Sequence, residues 1–236
     1  SMSTGIGKPV IRGMTHYRVV TLDNGQRSET QAWGHDHSPN VETAAAERVE
    51  RLKKLRRALV ARREALHAAL HADFRKPAAE VESTEVLLVL MELEHAIEHL
   101  GQWMKPRRVA TPIWFKPARS VIVPQPKGVV GIISPWNYPL TNSFGDCIPA
   151  MAAGNAVILK PAPPARRCAA ELVSAFHDAG IPEDLVVLAP LEDGDVSRHL
   201  VTHKDVDRVV LTGSYDTARL FRSWKPDMHL LGETSG

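Results

Sequence analysis

Four short groups in the second half of the chain carry residues able to do chemistry, and each follows an apolar run. Ser134-Pro135-Trp136-Asn137 follows Gly128 to Ile133, and Lys160-Pro161 follows Ala156 to Leu159. A loop around Gly194 follows Leu185 to Leu188, and Thr212-Gly213-Ser214 follows Val209 to Leu211. A lysine at the end of a strand is a cation able to bind ribose hydroxyls or phosphate. Gly213 and Ser214 offer backbone N–H groups and a hydroxyl where a helix begins, the place that stabilises phosphate oxygens. The Gly-x-Gly-x-x-Gly dinucleotide fingerprint and the P-loop Gly-Lys-Ser/Thr are both absent. On these residues alone the chain reads as a parallel α/β protein that binds a nucleotide. An ordinary strand-to-helix turn is the alternative for each group.

Other candidates read as structural. His95 and His99 have the one-turn spacing of zinc ligands, flanked by Glu94 and Glu98, but no third ligand or His-Glu-x-x-His pattern accompanies them, so they read as a polar helix face and no metal site is expected. The basic run Arg48, Arg51, Lys53, Lys54, Arg56, Arg57, Arg62 and Arg63 is interleaved with Glu47, Glu50 and Glu64 and has no aromatic neighbours on which bases could stack. It reads as a solvated helix face supported by charge pairs three and four residues apart, and no nucleic-acid partner is expected. Cys147 and Cys168 are too few for a disulfide framework or a four-thiolate metal site.

The elements that must position these groups follow from periodicity. The first 40 residues hold five glycines and no sustained pattern, so they read as an irregular segment, poorly ordered or weakly extended. Ser38-Pro39 makes a helix start. Leu52, Leu55, Leu59, Leu66 and Leu70 then form one stripe of a long helix. A second helix is expected from about Ala79 to Met104, with Val86, Leu90, Leu93, Ile97, Leu100 and Met104 buried. Prolines around Trp114-Phe115 and Val121-Ile122-Val123 suggest an edge hairpin or arm over Thr111 to Pro126. From Lys127 onward, short unalternating apolar runs separated by helical stretches imply right-handed βαβ units in a parallel sheet buried on both faces. Ligands of such sheets sit outside the carboxyl ends of the strands, where the four groups lie. The organisation expected is therefore an irregular segment over 1–40, a helical region with a β arm over 41–126, and a Rossmann-like parallel sheet with flanking helices over 127–236.

Composition agrees with a globular fold: 236 residues, 44% apolar, 24% charged and a net charge of +2. No window holds the roughly 20 consecutive apolar residues that span a bilayer, and no signal-peptide pattern follows Ser1-Met2. A cytoplasmic location is the expectation.

Several motifs then coincide in order: Pro135-Trp136-Asn137-Tyr138-Pro139-Leu140, Gly154-Asn155, Lys160-Pro161, Thr212-Gly213-Ser214 and Gly232-Glu233-Thr234-Ser235-Gly236. From about Ala44 to Gly236 the chain resembles the cofactor-binding half of an NAD(P)-dependent aldehyde dehydrogenase. Trp103-Met104-Lys105-Pro106 is similar to the branch acting on fatty and aromatic aldehydes, and the Gly232–Gly236 motif to proline-catabolic members. The resemblance implies oxidation of a small aldehyde to a carboxylic acid through a cysteine thioester, with NAD or NADP as cofactor, in a homo-oligomer. It implies that Asn137 donates its side-chain amide to the oxyanion and that Glu233 is the base for the hydrolytic water. It also implies that Lys160 binds the adenosine ribose, that Ser214 lies beside the pyrophosphate, and that Ile133 and Trp136 wall the cofactor.

Three departures accompany the resemblance. Pro163 replaces a glutamate that often holds the ribose hydroxyls, which leaves Arg166 or Arg167 to accept a 2′-phosphate. Ala218 ends the usual Gly-Ser-x-x-x-Gly helix opening. The family's thiol lies beyond Glu233, and neither Cys147 nor Cys168 matches it, so the chain is expected to be a truncated half, inactive alone. A non-catalytic dinucleotide-binding or interaction module that kept the fold is the alternative.

Overall fold

The structure, a computed structural model, describes residues 17–23, 26–27, 45–189 and 195–235, which belong to two compact units. One unit holds an antiparallel sheet in the order β2-β1-β4-β3, from β1 (Tyr17–Asp23), β2 (Gln26–Arg27), β3 (Arg107–Val109) and β4 (Arg119–Pro124). Within the first 40 residues the described ones are therefore extended chain paired in a sheet. β1 pairs with β4 from Tyr17 opposite Pro124 to Leu22 opposite Arg119. Tyr17, Val19, Val20 and Thr21 are good strand formers, and β4, distant in sequence, supplies their ladder. β4 in turn is an inner strand rather than an edge, with β1 on one side and β3 on the other. The helix start expected at Ser38-Pro39 lies outside the described residues.

The second unit begins with helices α1 (Ala45–Ala61) and α2 (Arg63–Phe74). The single long helix expected here is divided at Arg62, although its hydrogen bonding continues from Arg62 N–H to Ala58 O and from Leu66 N–H to Arg62 O. The five stripe leucines are fully buried, each worth about 1.5–3 kcal/mol. The surface pairs Arg51–Glu47 and Lys53–Glu50 lie in solvent, where water and salt screen them, so packing rather than charge holds these helices. Arg62 itself bridges Glu171 and Asp178, each at 2.6 Å. The second expected helix is also divided, into α3 (Ala78–Val81), a π-helical turn (Glu82–Val86) and α4 (Leu87–Trp103). Val86, Val89, Leu93, Ala96 and Leu100 are its buried row, and Leu90 and Ile97 lie half-buried at the edge.

A parallel sheet follows in the order β7-β6-β5-β8-β9. Its strands are β5 (Val129–Ser134), β6 (Ala156–Pro161), β7 (Val186–Leu188), β8 (Arg208–Ser214) and β9 (Leu230–Ser235). The connecting helices are α5 (Pro139–Ala152), α6 (Arg166–Asp178), α7 (Val196–Thr202) and α8 (Tyr215–Trp224). Strand alternation sends Val130, Ile132, Val157, Leu159 and Val210 into one core with α1, α2, α4, α5 and α6. On the other face Ile133, Val209 and Leu211 pack with Leu200, Val201 and Phe221 of α7 and α8.

Asn155 ties α5 to the first strand of the sheet: its Oδ1 accepts from Lys127 N at 2.6 Å and Gly128 N at 3.1 Å, and its Nδ2 donates to Ala150 O at 2.8 Å. Gly154 beside it has φ of +93°, and a Cβ there would fall on the Arg48 guanidinium, which is buried and donates to Ala152 O. Gly154→Ala is therefore expected to cost about 2–4 kcal/mol, read as a lowered urea midpoint. An unchanged midpoint would show that the backbone does not require glycine there.

Candidate active site at the carboxyl ends of the parallel strands

β5 is central, and its register sets the site. Ile133 lies beside Lys160 of β6 and beside Leu211 of β8, and Leu211 in turn lies beside Gly232 of β9. One row later come Pro161, Ser134, Thr212 and Glu233. Lys160 and Glu233 are thus three strand spacings apart, roughly 14 Å. They also face opposite sides: Lys160 shares the α7 and α8 face with Ile133, and Glu233 shares the α5 face with Ser134.

Thr212-Gly213-Ser214 is not a turn but the end of β8, because β9, unread in the sequence, continues the ladder to Ser214 opposite Ser235. Ser214 still caps α8: its Oγ accepts from Thr217 N at 3.2 Å. A Cβ on Gly213 would touch Leu211 Cδ1 at 3.5 Å, an ordinary contact. No internal packing demands glycine there, and the missing side chain leaves backbone open at the strand end. Lys160 is half-buried, and burial lowers its pKa, so an anion or a set of hydroxyls beside it would restore lost hydration. Trp136 is 60% exposed.

Other expected site residues sit differently. Ile133 is buried in the α7 and α8 cluster. Ser134 is buried, with its hydroxyl 2.8 Å from that of Ser143 on α5. Both therefore present backbone rather than side chain to the strand end, and Pro135 follows them, partly exposed. Gly194 lies outside the described residues. Arg167, a candidate for a 2′-phosphate, holds Asp73 at 2.9 Å.

Asn137 stands exposed just before α5. Its Oδ1 accepts from Asn142 Nδ2 at 3.4 Å, which leaves its own amide N–H groups as donors. Its main chain is held by residues the sequence reading passed over. Lys76 Nζ donates to Asn137 O at 2.9 Å and to Glu85 Oε1 at 2.6 Å, and lies 4.6 Å from the Tyr138 ring centroid. Glu85 is completely buried. Its Oε2 accepts from Leu140 N at 2.8 Å and Thr141 N at 3.4 Å, in the first turn of a helix with no side-chain cap of its own. The signal available in the sequence was a carboxylate on the apolar row, four residues after Val81 and four before Val89. Beside this turn, Ser83, Thr84, Leu88, Tyr138, Thr141 and Asn142 line an open cleft of about 400 Å³.

The remaining chemistry-bearing side chains divide clearly. Cys147 and Cys168 are buried, and burial holds both thiols well above their ordinary pKa. A thiol so held is a poor nucleophile. Along α4 His99 stacks on Trp103 and His95 lies tilted against both, and no metal-holding group of three His, Cys, Asp or Glu occurs among the described residues. Among those residues no helix is long and apolar enough to cross a membrane. Asp146 of α5 is different again: burial first, then the charges of Glu233 and Glu92, raise its pKa to about 7.

Comparison with known proteins identifies the family. Residues 34–225 match the aldehyde dehydrogenase family, and the chain belongs to that family. It is 35% identical over 206 residues to 4,4′-diapolycopene-4,4′-dial dehydrogenase of Cytobacillus firmus, covering 86% of this chain and 43% of the relative. It is 30% identical over 193 residues to a putative NADP(+) succinate-semialdehyde dehydrogenase of Mycolicibacterium smegmatis, covering 82% and 35%. The substrate-bound structure of Staphylococcus aureus AldH superposes with a TM-score of 0.74 at 28% identity, covering 82% of this chain and 42% of that one. The chain spans less than half the length of these relatives.

The raised Asp146 pKa carries a stability signature. Between 3.8 and about 7 the folded chain holds a proton that the unfolded chain has released, so this group makes stability fall as pH rises through that window. Asp146→Asn is expected to raise the melting temperature by several degrees at about pH 8 and hardly at all at about pH 4. An equal effect at both pH values would contradict the assignment.

Proposed function

We propose that the protein carrying this chain oxidises an aldehyde to a carboxylic acid with NAD or NADP, and that this chain supplies the cofactor platform, the oxyanion donor and the hydrolytic base. The observation that supports it best is the joint placement of Asn137 and Glu233 at the carboxyl end of one parallel sheet, after β5 and on β9. The cofactor platform is the opposite half of that edge: Lys160 toward the ribose, and the open Gly213 backbone with the start of α8 toward the phosphates. A bound nicotinamide supplies the hydride acceptor.

In this reading a thiolate from outside the described residues adds to the aldehyde carbonyl, since Cys147 and Cys168 are buried and protonated. The carbonyl oxygen gains charge as the C–S bond forms, and the Asn137 amide donates to it. Being neutral and already aimed, that donor costs no reorganisation as the charge appears. With a nicotinamide bound, the former aldehyde carbon would lose hydride to it and be left as a thioester. Glu233 takes a proton from water, whose oxygen attacks the thioester carbon and releases the acid and the thiolate. Asp146, beside Glu233 on the same face and titrating near 7, is protonated below that pH and then adds no second negative charge next to the base.

The free buried thiols favour a reducing, cytoplasmic setting. Ion pairs such as Arg56–Glu94 and Arg63–Glu82 neutralise the basic helix face, which argues against a nucleic-acid partner. Ile113, Trp114 and Phe115 of the antiparallel unit are 68%, 83% and 55% exposed. An apolar surface of that kind supports a homo-oligomer.

The test is reduction of NAD+ or NADP+ by the full-length protein with a panel of aldehydes. Asn137→Ala is expected to lower kcat about 10²–10³-fold with NADH affinity within about twofold of the unsubstituted protein. Glu233→Gln is expected to form reduced cofactor in a single burst and then stall. Unimpaired turnover in both variants would overturn the assignment.

A further inference from the structure

Every hydrogen bond that the Lys76–Glu85 pair makes beyond itself ends on the backbone that carries Asn137. Lys76 Nζ, 12% exposed in its side chain, holds Asn137 O from one side. Glu85, with no exposed surface, holds Leu140 N and Thr141 N from the other. The ion pair at 2.6 Å closes the loop between them, so the turn from Asn137 to Leu140 is spanned by two charges joined to each other. A third tie fixes the partner side of the clamp, with Thr141 Oγ1 donating to Thr84 O at 3.2 Å. The π-helical turn that contains Glu85 places Thr84 and Glu85 against the same helix start, and such turns recur at functional sites.

A clamp of this form is more than a helix cap needs. A single carboxylate on the α5 N-terminus would satisfy its N–H groups. The lysine adds nothing to that cap; it adds a donor for the carbonyl of Asn137, the residue assigned to the oxyanion above. We propose that Lys76 and Glu85 are positioning residues for the oxyanion donor Asn137, acting on the chemical step and not on the binding of aldehyde or cofactor. This rests on the dehydrogenase reading above, because it gives the Asn137 amide its task. Loss of the clamp leaves the side chain intact but lets its backbone drift, and an oxyanion donor displaced by a fraction of an ångström loses most of its worth.

The test is a cycle of variants in the full-length enzyme: Lys76→Met, Lys76→Arg, Asn137→Ala, and Lys76→Met with Asn137→Ala. Lys76→Met is expected to lower kcat about 10- to 50-fold, a part of what deleting the donor itself costs, with the aldehyde KM and the NADH affinity within about twofold. Lys76→Arg, which can still donate to both oxygens, is expected to recover most of the loss. In the Asn137→Ala background, Lys76→Met is expected to lower kcat by less than about twofold, because the group it positions is gone. Multiplying losses in the double variant would overturn the proposal, as would a fall in melting temperature with kcat unchanged. If Lys76→Met does not fold, Lys76→Gln with Glu85→Gln removes both charges together and takes its place in the cycle. A wild-type enzyme that reduces neither cofactor overturns the dehydrogenase reading and the positioning role with it. An active enzyme with multiplying losses overturns the positioning role alone.

Discussion

The N–H groups of a helix's first turn need acceptors, and the segments that lead into α5 and α6 supply no side chain to accept them. Both helices are closed from elsewhere. Glu85 accepts from Leu140 and Thr141 at the start of α5, and Asp73 accepts from Arg167 and Cys168 at the start of α6. Each carboxylate belongs to the helical region that precedes the sheet in the chain. A cap is worth about 0.5–2 kcal/mol, but a buried carboxylate stripped of its partners costs several. The two halves of this unit therefore hold each other in register: the sheet's helices need the early helices' acids, and those acids need the helix starts.

That mutual dependence matters because α5 and α6 follow β5 and β6, the strands that deliver Asn137 and Lys160. A parallel sheet puts all its carboxyl ends on one edge, and β5, paired on both sides, fixes the rows across it. The edge then divides by face. On the side of α7 and α8 are Lys160 and the open backbone of Gly213. On the side of α5 are Glu233, Asp146 and, one loop away, Asn137. In the proposed reading the ribose and phosphate contacts lie on one face of this edge and the groups for carbonyl chemistry on the other, so that a dinucleotide lying across the edge reaches both.

Much of this was legible in the chain because burial leaves a period. The leucines of α1 and α2, the row on α4 and the apolar runs of β5, β6 and β8 all mark themselves, and residues following such runs are automatically at the ligand edge. What was illegible depends on partners remote in sequence. β9 runs Leu230-Leu231-Gly232-Glu233-Thr234-Ser235, mostly exposed, and becomes a strand only because β8 offers a free ladder. β1 is strand for the same reason, through β4. Glu85 and Lys76 are ordinary polar residues until α5 is brought against them. Ser134 was reached by its position after an apolar run and Ile133 by resemblance; strand alternation turns one hydroxyl toward Ser143 and one side chain into the core, so what each offers at the strand end is backbone. Glu233 was reached by resemblance, and its neighbour Asp146 by neither route, since its altered acidity arises from burial and from charges on two other elements.

The central claim is that one edge of the parallel sheet, split by face, binds the dinucleotide and presents Asn137 to the carbonyl. Amide hydrogen exchange of the full-length protein with and without saturating NADPH or NADH tests it most directly. The expected result is protection at 133–136, 160–162 and 212–216 with no change in β7 or in the antiparallel sheet. Protection confined to the antiparallel sheet or to α1, with the strand ends unaffected, would contradict it.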